Sequence, residues 1–428
     1  MTSVQNRQPL LSGNSLLAIL SALVLLSCNA FKVVSNDNPV VHTEDKTEEP
    51  TKTKEKKKEE AKVEESKPEL ITVDFFGEEF QVEPHKTEFK VALILPFYYN
   101  AQTPIEKRTS DYMVEYYQGV KQALTNLEMY GLQLKLYVFD DENNADKLKA
   151  ILGKSTLKTM DVVIGSIGES HVEMVANFGL ANDIPVISPF TSLDSLKQPN
   201  TKMYCTTPSS MDKVDKVIDF ISKNYATNSV IIVTDNQSYS DELKAGYVSG
   251  FHKLKKKNVG YETTDYNGWG NVLEKDKETV VIVLSRNPTT VSTTLSKIYQ
   301  TKRNVVVIGD NSWSNFQDND YKFWDKMNVH LVASDYVNDT SAEVKNFKIN
   351  FRLVNRTDPG VYAYIGYDQF MFMGEFLLAF GEHFPGYIND REFRYLSSNF
   401  HYQYKDGLNK NTNVFILKFE DFELKPVQ

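Results

Sequence analysis

Few residues in this chain are placed for covalent chemistry. Seven histidines are spread through 428 residues without clustering. His171 and Glu173 are two apart on an expected helix, so they face different ways, and no Cys-x-x-Cys accompanies them. There is no G-x-x-x-x-G-K-[ST] phosphate loop, no G-x-S-x-G turn and no H-E-x-x-H helix. Gly268-Trp269-Gly270 follows no clear strand and so is not a nucleotide turn. Asp140-Asp141-Glu142-Asn143 has the oxygen donors of a Mg²⁺ or Ca²⁺ site but not the spacing of a calcium loop, and it reads as a surface or helix-capping turn. No catalytic set, metal or cofactor is expected.

What recurs instead is hydroxyl, amide and aromatic side chains directly after short apolar runs. Ser166, Glu169 and Ser170 follow Val162-Val163-Ile164, and Ser188, Phe190, Thr191 and Ser192 follow Pro185-Val186-Ile187. Tyr239 follows the run Ser229–Val233, Asn311 follows Val305–Ile308, and Tyr98 and Tyr99 follow Lys90–Leu95. Groups at such places hold a ligand reversibly, beside the free N–H groups that open the next helix. Ser192 reads equally as a helix cap and Asn311 equally as an Asx turn. Phe190, outside its strand after Pro189, lines a cleft or joins the core. Trp269 and Trp313 lie in Gly/Asn/Ser-rich loops, where a structural role outweighs a stacking one.

These positions need a scaffold of alternating strands and helices. Lys90–Leu95, Leu134–Phe139, Asp161–Ile164 and Pro185–Ile187 read as strands, the continuous apolar ones covered on both faces. Helical patterns over Tyr112–Tyr130, Asp146–Met160 and Ser170–Leu180 separate them. A second series adds helices at Met211–Tyr225, Ser240–Lys256 and Thr289–Tyr299, with strands at Ser229–Val233, Val280–Leu284 and Val305–Ile308. The expected class is α/β, with two doubly wound Rossmann-like lobes.

The first 28 residues read as an address. Arg7 precedes an apolar run from Leu16 to Leu26, and Leu25-Leu26-Ser27-Cys28 resembles a bacterial lipoprotein signal, in which the cysteine carries the lipid. The alternative is an ordinary cleaved secretory signal. The run falls short of the roughly 20 residues a bilayer needs. Residues 29–87 are expected to be a tether, because Glu44–Lys67 is almost wholly charged and cannot offset its ordering entropy by burial, with Ile71–Phe80 as a short strand or arm. The net charge of -9 argues against a nucleic-acid partner, and Lys253–Lys257 reads as a solvated helix end. Cys205, in a strand-like run, reads as a small buried hydrophobe.

From about residue 88 to 428 the chain resembles the type I periplasmic binding proteins, the leucine/isoleucine/valine-binding group in particular. Ile164–Ser170 is similar to that family's first strand-to-helix turn and Ile184–Pro189 to its next strand and turn. Asp235–Tyr239, with Leu243, is similar to the second-lobe turn whose tyrosine closes over ligand, and Tyr364–Asp368 to a late helix. The resemblance implies two lobes joined by a three-strand hinge with crossings near Thr206, Ala333 and Tyr395. Lobe 1 is then 88–206 with 334–395, and lobe 2 is 207–333 with 396–428. It implies a non-enzymatic protein that closes on a small polar ligand, held in the cell envelope by lipid on Cys28, at the outer membrane facing the periplasm. The partner is then an ABC permease. The same fold also occurs in lipoproteins that activate peptidoglycan synthases without a small ligand. One departure is informative: aligned directly, Glu169 stands where the amino-acid binders carry a serine, and a carboxylate there repels an anionic ligand, whereas an alignment shifted by one puts Ser170 at that place.

Overall fold

The computed structural model describes residues 70–192, 199–225, 229–254, 261–265, 273, 278–317, 319, 321–389 and 391–427, with the backbone alone at 261–264. Cys28, Glu44–Lys67 and Trp269 lie outside the described residues. The chain enters through a hairpin of β1 (Ile71–Phe75) and β2 (Glu78–Val82). Next come β3 (Glu88–Leu95), α1 (Pro104–Met129), β4 (Gln133–Asp140), α2 (Ala145–Leu152), β5 (Val162–Gly165), α3 (Glu169–Asn182), β6 (Val186–Ser188) and β7 (Met203–Cys205). The second series is α4 (Ser210–Asn224), β8 (Ser229–Thr234), α5 (Ser238–Lys253), β9 (Tyr261–Asp265), β10 (Thr279–Leu284), α6 (Pro288–Gln300), β11 (Val305–Asp310), α7 (Tyr321–Lys326) and β12 (Val329–Ala333). Then follow α8 (Ala342–Asn355), α9 (Val361–Phe380), β13 (Glu392–Arg394), β14 (Asn399–Lys405), β15 (Leu408–Asn411), β16 (Phe415–Glu420) and β17 (Glu423–Pro426).

Local chemistry sets these bounds. The apolar runs of β5 and β10 are buried along their whole length, as strands covered on both faces must be. Helix α1 starts eight residues before the apolar periodicity does. Thr103 and Glu106 form a reciprocal capping box and Pro104 takes the first turn, but those turns are mostly solvent-facing and carry no apolar signal. The helix expected over Asp146–Met160 is shorter: α2 ends at Gly153, and a 3₁₀ turn at Ser155–Thr159 follows.

The first sheet runs β13-β14-β15-β7-β6-β5-β3-β4, parallel from β15 to β4. The second runs β17-β16-β12-β11-β10-β8-β9, parallel from β12 to β9. Both are doubly wound, and each reverses its winding beside its first strand, at β3/β5 and at β8/β10. The expected α/β class with two such lobes is the one observed.

Two expected boundaries are corrected. The third crossing does not lie near Tyr395, because β14 and β15 stay in the first sheet and the chain leaves it only after Asn411. The reason is side-chain pairing. Phe400 and Tyr402 are fully buried, and Phe372 packs on them at ring distances of 4.6 and 5.6 Å. The Asn409 amide donates to the carbonyls of Thr201 and Met203, tying β15 to β7. The stretch 29–87 is also not all tether. In the β1–β2 hairpin Phe75 meets Phe376 and Phe380 at 4.9 Å, and Phe80 meets Phe380 at 5.3 Å, so the folded body begins near Ile71.

Helices α1 and α9 cross almost backbone to backbone. A Cβ on Gly119 would sit 2.0 Å from the Ala363 carbonyl oxygen, and one on Gly366 would sit 2.2 Å from that of Tyr116. Glycine at both points lets the two helices meet over the buried stripe of Tyr116, Val120, Ala123 and Leu127. Gly366→Ala must push the helices apart, and its expected cost is about 2–3 kcal/mol. Gly386→Ala, where nothing lies within 4 Å, serves as the control and is expected to stay within about 0.5 kcal/mol of the parent. Urea unfolding of both variants measures the contrast.

Candidate ligand-binding cleft

The topology decides which ends of the two sheets meet. The first crossing leaves the carboxyl end of β7, and the second leaves the carboxyl end of β12. The third leaves β15, which runs parallel to β7, and enters β16 at Phe415, paired with Ala333 at the end of β12. All three segments therefore join the carboxyl edge of one sheet to that of the other. Both winding reversals open on these edges, where loops from neighbouring strands part and leave a crevice.

On the first lobe the expected hydroxyls are largely spent within the loops. Ser166 is fully buried and its hydroxyl donates to Asp141. Ser188 is fully buried and donates to the Thr191 carbonyl at 2.7 Å, while the Thr191 hydroxyl accepts from the Gly168 N–H at 3.1 Å. Ser166 and Ser188 were expected to meet ligand; the structure turns both inward. Glu169 and Ser170 are exposed in the first turn of α3. The Ser192 hydroxyl is buried with no partner among the described residues. Asp140 accepts the N–H groups of Tyr98, Tyr99 and Glu142, and buried Asp141 accepts that of Asn143, so this acidic turn organises its own loop. Among the described residues no group of three or more His, Cys, Asp or Glu side chains is arranged to hold a metal ion.

What the first lobe presents instead is aromatic. Phe190 meets Tyr116 edge-on at 5.1 Å and Tyr362 at 5.7 Å, and Tyr362 stacks on Tyr112 at 4.6 Å. Glu115 accepts the Gly360 N–H at the start of α9, and this cap positions Tyr362 two residues on. Tyr116 donates to Gln369 at 2.8 Å, and the Gln369 amide donates to the Pro189 carbonyl at 2.8 Å and the Thr206 hydroxyl at 2.9 Å. The ring wall is thereby fastened to the first crossing.

The second lobe presents charge. Arg286, just after β10, donates to Asp310 at 2.9 and 3.1 Å and to the Tyr239 hydroxyl at 2.6 Å, and its guanidinium lies 3.9 Å above the Tyr239 ring. Burial works to raise the Asp310 carboxyl, but Arg286 and the Ser312 N–H hold it below its usual range. Burial, with Asp310 beside it, pushes the Tyr239 phenol up to about 12. Under Tyr239 is a recess of about 30 Å³ lined by Lys213, Ser285 and Asp310. Burial lowers the Lys213 ammonium, opposed by Asp310, and burial raises the Asp335 carboxyl. Asn311 only opens the 3₁₀ turn after β11; the Asx turn there is made by Asp310, which accepts the Ser312 N–H at 2.9 Å. Trp313 is fully buried and its indole donates to the Ser285 carbonyl, a structural role.

Lys213, Arg286, Asp310, Asp335, Tyr112 and Tyr362 escaped sequence reasoning. Arg286, Asp310 and Asp335 carried a usable signal, since each lies at or within two residues of the end of an apolar strand run. Lys213, Tyr112 and Tyr362 sit on helices, and only the packing of those helices brings them to the edge.

The second crossing is tied to α9 through one acid. Asp368, fully buried in α9, accepts the N–H groups of Leu396, Ser397 and Ser398 and the Ser397 hydroxyl at 2.6–3.0 Å. The Ser397 carbonyl accepts the Tyr336 N–H of the second crossing at 2.8 Å.

Comparison with known proteins bears on this arrangement. A model of the periplasmic binding protein family matches residues 108–275. No curated protein matches the chain. Among solved structures, the chain is similar to an ABC transporter substrate-binding protein from Desulfitobacterium hafniense in complex with Leu, at 15% identity and a TM-score of 0.55, covering 79% of this chain and 100% of that one. It is similar to a putative branched-chain amino acid ABC transporter from Rhodospirillum rubrum, at 11% identity and a TM-score of 0.60, with coverages of 79% and 100%. It is also similar to full-length LpoA from Haemophilus influenzae, at 11% identity and a TM-score of 0.58, covering 80% of this chain and 60% of that one. At such identities the shared property is the fold.

Asp368 makes the hinge region pH-sensitive in a defined sense. Burial, only partly offset by its four hydrogen bonds, pushes its carboxyl from 3.8 up to about 6. The folded chain then holds this proton more tightly than the unfolded chain. The resulting stability is complete below about pH 4 and is lost as pH rises through about 6, roughly 3 kcal/mol in all. In urea titrations from pH 4 to 8, the stability of the parent relative to Asp368→Asn is expected to fall by about that amount. A difference that stays constant with pH would show that the carboxyl titrates at its ordinary value.

Proposed function

We propose that this chain, which belongs to the type I periplasmic binding proteins, is a solute-binding lipoprotein of the cell envelope that closes its two lobes on a small polar ligand. The observation that carries the reading is the facing of two unlike carboxyl edges across three connecting segments. One edge offers the rings of Phe190 and Tyr362, the other the Tyr239–Arg286–Asp310 cluster. A ligand between them gains contacts from both lobes only when the lobes approach, so binding favours the closed form.

The lipid-signal resemblance at Cys28 and the charged stretch after it support anchoring at the outer membrane, facing the periplasm. Among the described residues no helix is long and apolar enough to cross a membrane. The likeness to ABC transporter binding proteins supports delivery to an ABC permease, for uptake or for sensing.

A second reading has its own support. On the outer side of lobe 1, between α1, β4 and α8, lies a groove of about 560 Å³ lined by Leu134, Leu136, Leu353 and Val354, the last two well exposed. With the likeness to the Haemophilus LpoA fold, this supports a lipoprotein that regulates peptidoglycan synthesis through protein contacts.

A thermal-shift screen of the mature chain against amino acids, short peptides, sugars, polyamines and muropeptides separates the two. One ligand class is expected to raise the melting temperature in a concentration-dependent way. Tyr239→Ala is expected to weaken that ligand at least tenfold while melting within about 2 °C of the parent, since Tyr239 lies at the edge of its lobe's core. A flat response to every class would favour the protein-contact reading.

A further inference from the structure

Outside the cleft, the groove between α1, β4 and α8 does not end at its leucines. It continues into a hollow of about 650 Å³ that reaches the tip of the β1–β2 hairpin at Phe76. Gln122, Asn126 and Asn350 line both parts, so the two form one groove. Leu134, Leu136, Leu353 and Val354 make its apolar end.

Four carboxamides stand along it. Gln122 and Asn126 are four residues apart on α1, and Asn346 and Asn350 are four apart on α8. The Gln122 amide donates to the Phe347 carbonyl at 3.3 Å and the Asn126 amide to the Tyr367 hydroxyl at 2.8 Å. These bonds orient both side chains and leave each a carbonyl oxygen and an N–H. The side chains of Asn346 and Asn350 bond to no described residue. Residues four apart on a helix are separated by about 6 Å along its axis, and an extended chain repeats every two residues in about 6.6 Å. A carboxamide offers both an acceptor and donors, the complement of a peptide group. The two pairs therefore match the backbone of an extended peptide.

The apolar end adds side-chain chemistry. It suits leucine-like side chains and not the hydroxyls of a sugar. Lys121 and Lys135 flank it, and no carboxylate lines it. Lys135 is paired with Glu88, whereas the Lys121 ammonium lies 5.3 Å over the Tyr117 ring and makes no ion pair with a described residue. An acidic residue on the occupant would supply the missing charge.

We infer that this groove docks an extended peptide segment of a partner protein, with aliphatic residues at alternate positions and a carboxylate beside Lys121. The site is independent of lobe closure. It rests on the protein-contact reading and gives that reading its partner chemistry.

Fluorescence anisotropy of the mature chain with labelled heptapeptides of alternating leucine and serine tests it. The peptide ending in two glutamates is expected to bind, the one ending in two lysines to bind several-fold more weakly, and an N-methylated version of the acidic peptide to fail. Asn346→Ala combined with Asn350→Ala is expected to weaken the acidic peptide about tenfold through the lost hydrogen bonds. Both sites are exposed and alanine is the better helix former, so the melting temperature is expected not to fall. Lys121→Glu is expected to abolish the preference for glutamate. Equal binding by the parent and the double variant, or by the N-methylated peptide, would overturn the inference. Binding of chitotetraose and of no peptide would overturn it in favour of a glycan. Silence from every probe would overturn it too, while the protein-contact reading would stand through a folded partner surface.

Discussion

The close crossing of α1 and α9 is the constraint on which the rest of lobe 1 depends. Gly119 and Gly366 let the two backbones touch, and every feature of the aromatic wall is indexed from that contact. Tyr116 leaves α1 beside the crossing, reaches Gln369 on α9, and through it holds Pro189 and Thr206. Glu115, one residue earlier, caps α9 and so sets where Tyr362 stands against Tyr112 and Phe190. Six residues further along α9, Asp368 gathers the Leu396–Ser398 backbone that meets the second crossing. A single helix contact thus locates the wall and two of its links to the other lobe.

The two lobes share a winding but not a chemistry. The same winding of the central strands puts a crevice at the carboxyl edge of each sheet, yet one edge is filled with rings and loop-internal hydroxyl bonds, the other with ionised groups. Much of that charge is internally balanced: Asp310 is bonded by Arg286 and lies under Tyr239, where burial works to raise its carboxyl and Arg286 holds it down. Balanced charge is rigid charge, and it orders Tyr239 and Arg286 as one unit. The second lobe therefore contributes a fixed polar surface, and the first a broad apolar one.

Much of this was legible in the residues. The buried strands announced themselves as continuous apolar runs, and their alternation with helical stretches gave two doubly wound lobes. The family resemblance implied crossings near Thr206 and Ala333, and β7 and β12 end beside them. The third could not be placed: His401-Tyr402-Gln403-Tyr404 alternates as an edge strand of either lobe would, and only the packing of Phe400 and Tyr402 on Phe372 assigns it to the first.

The site divides in the same way. Sequence determined where strands end, and hence that Ser166, Ser188, Phe190 and Tyr239 lie near the facing edges. It did not determine which way a side chain turns there, because a hydroxyl after a strand serves its own loop or a ligand with the same local signal. Tertiary structure decided that Ser166 and Ser188 face inward, that Phe190 joins rings from two helices, and that Arg286, Asp310 and Asp335 share an edge with Lys213. Periodicity is a property of neighbours along the chain; a binding surface is made of residues that only the packed sheets and helices bring together.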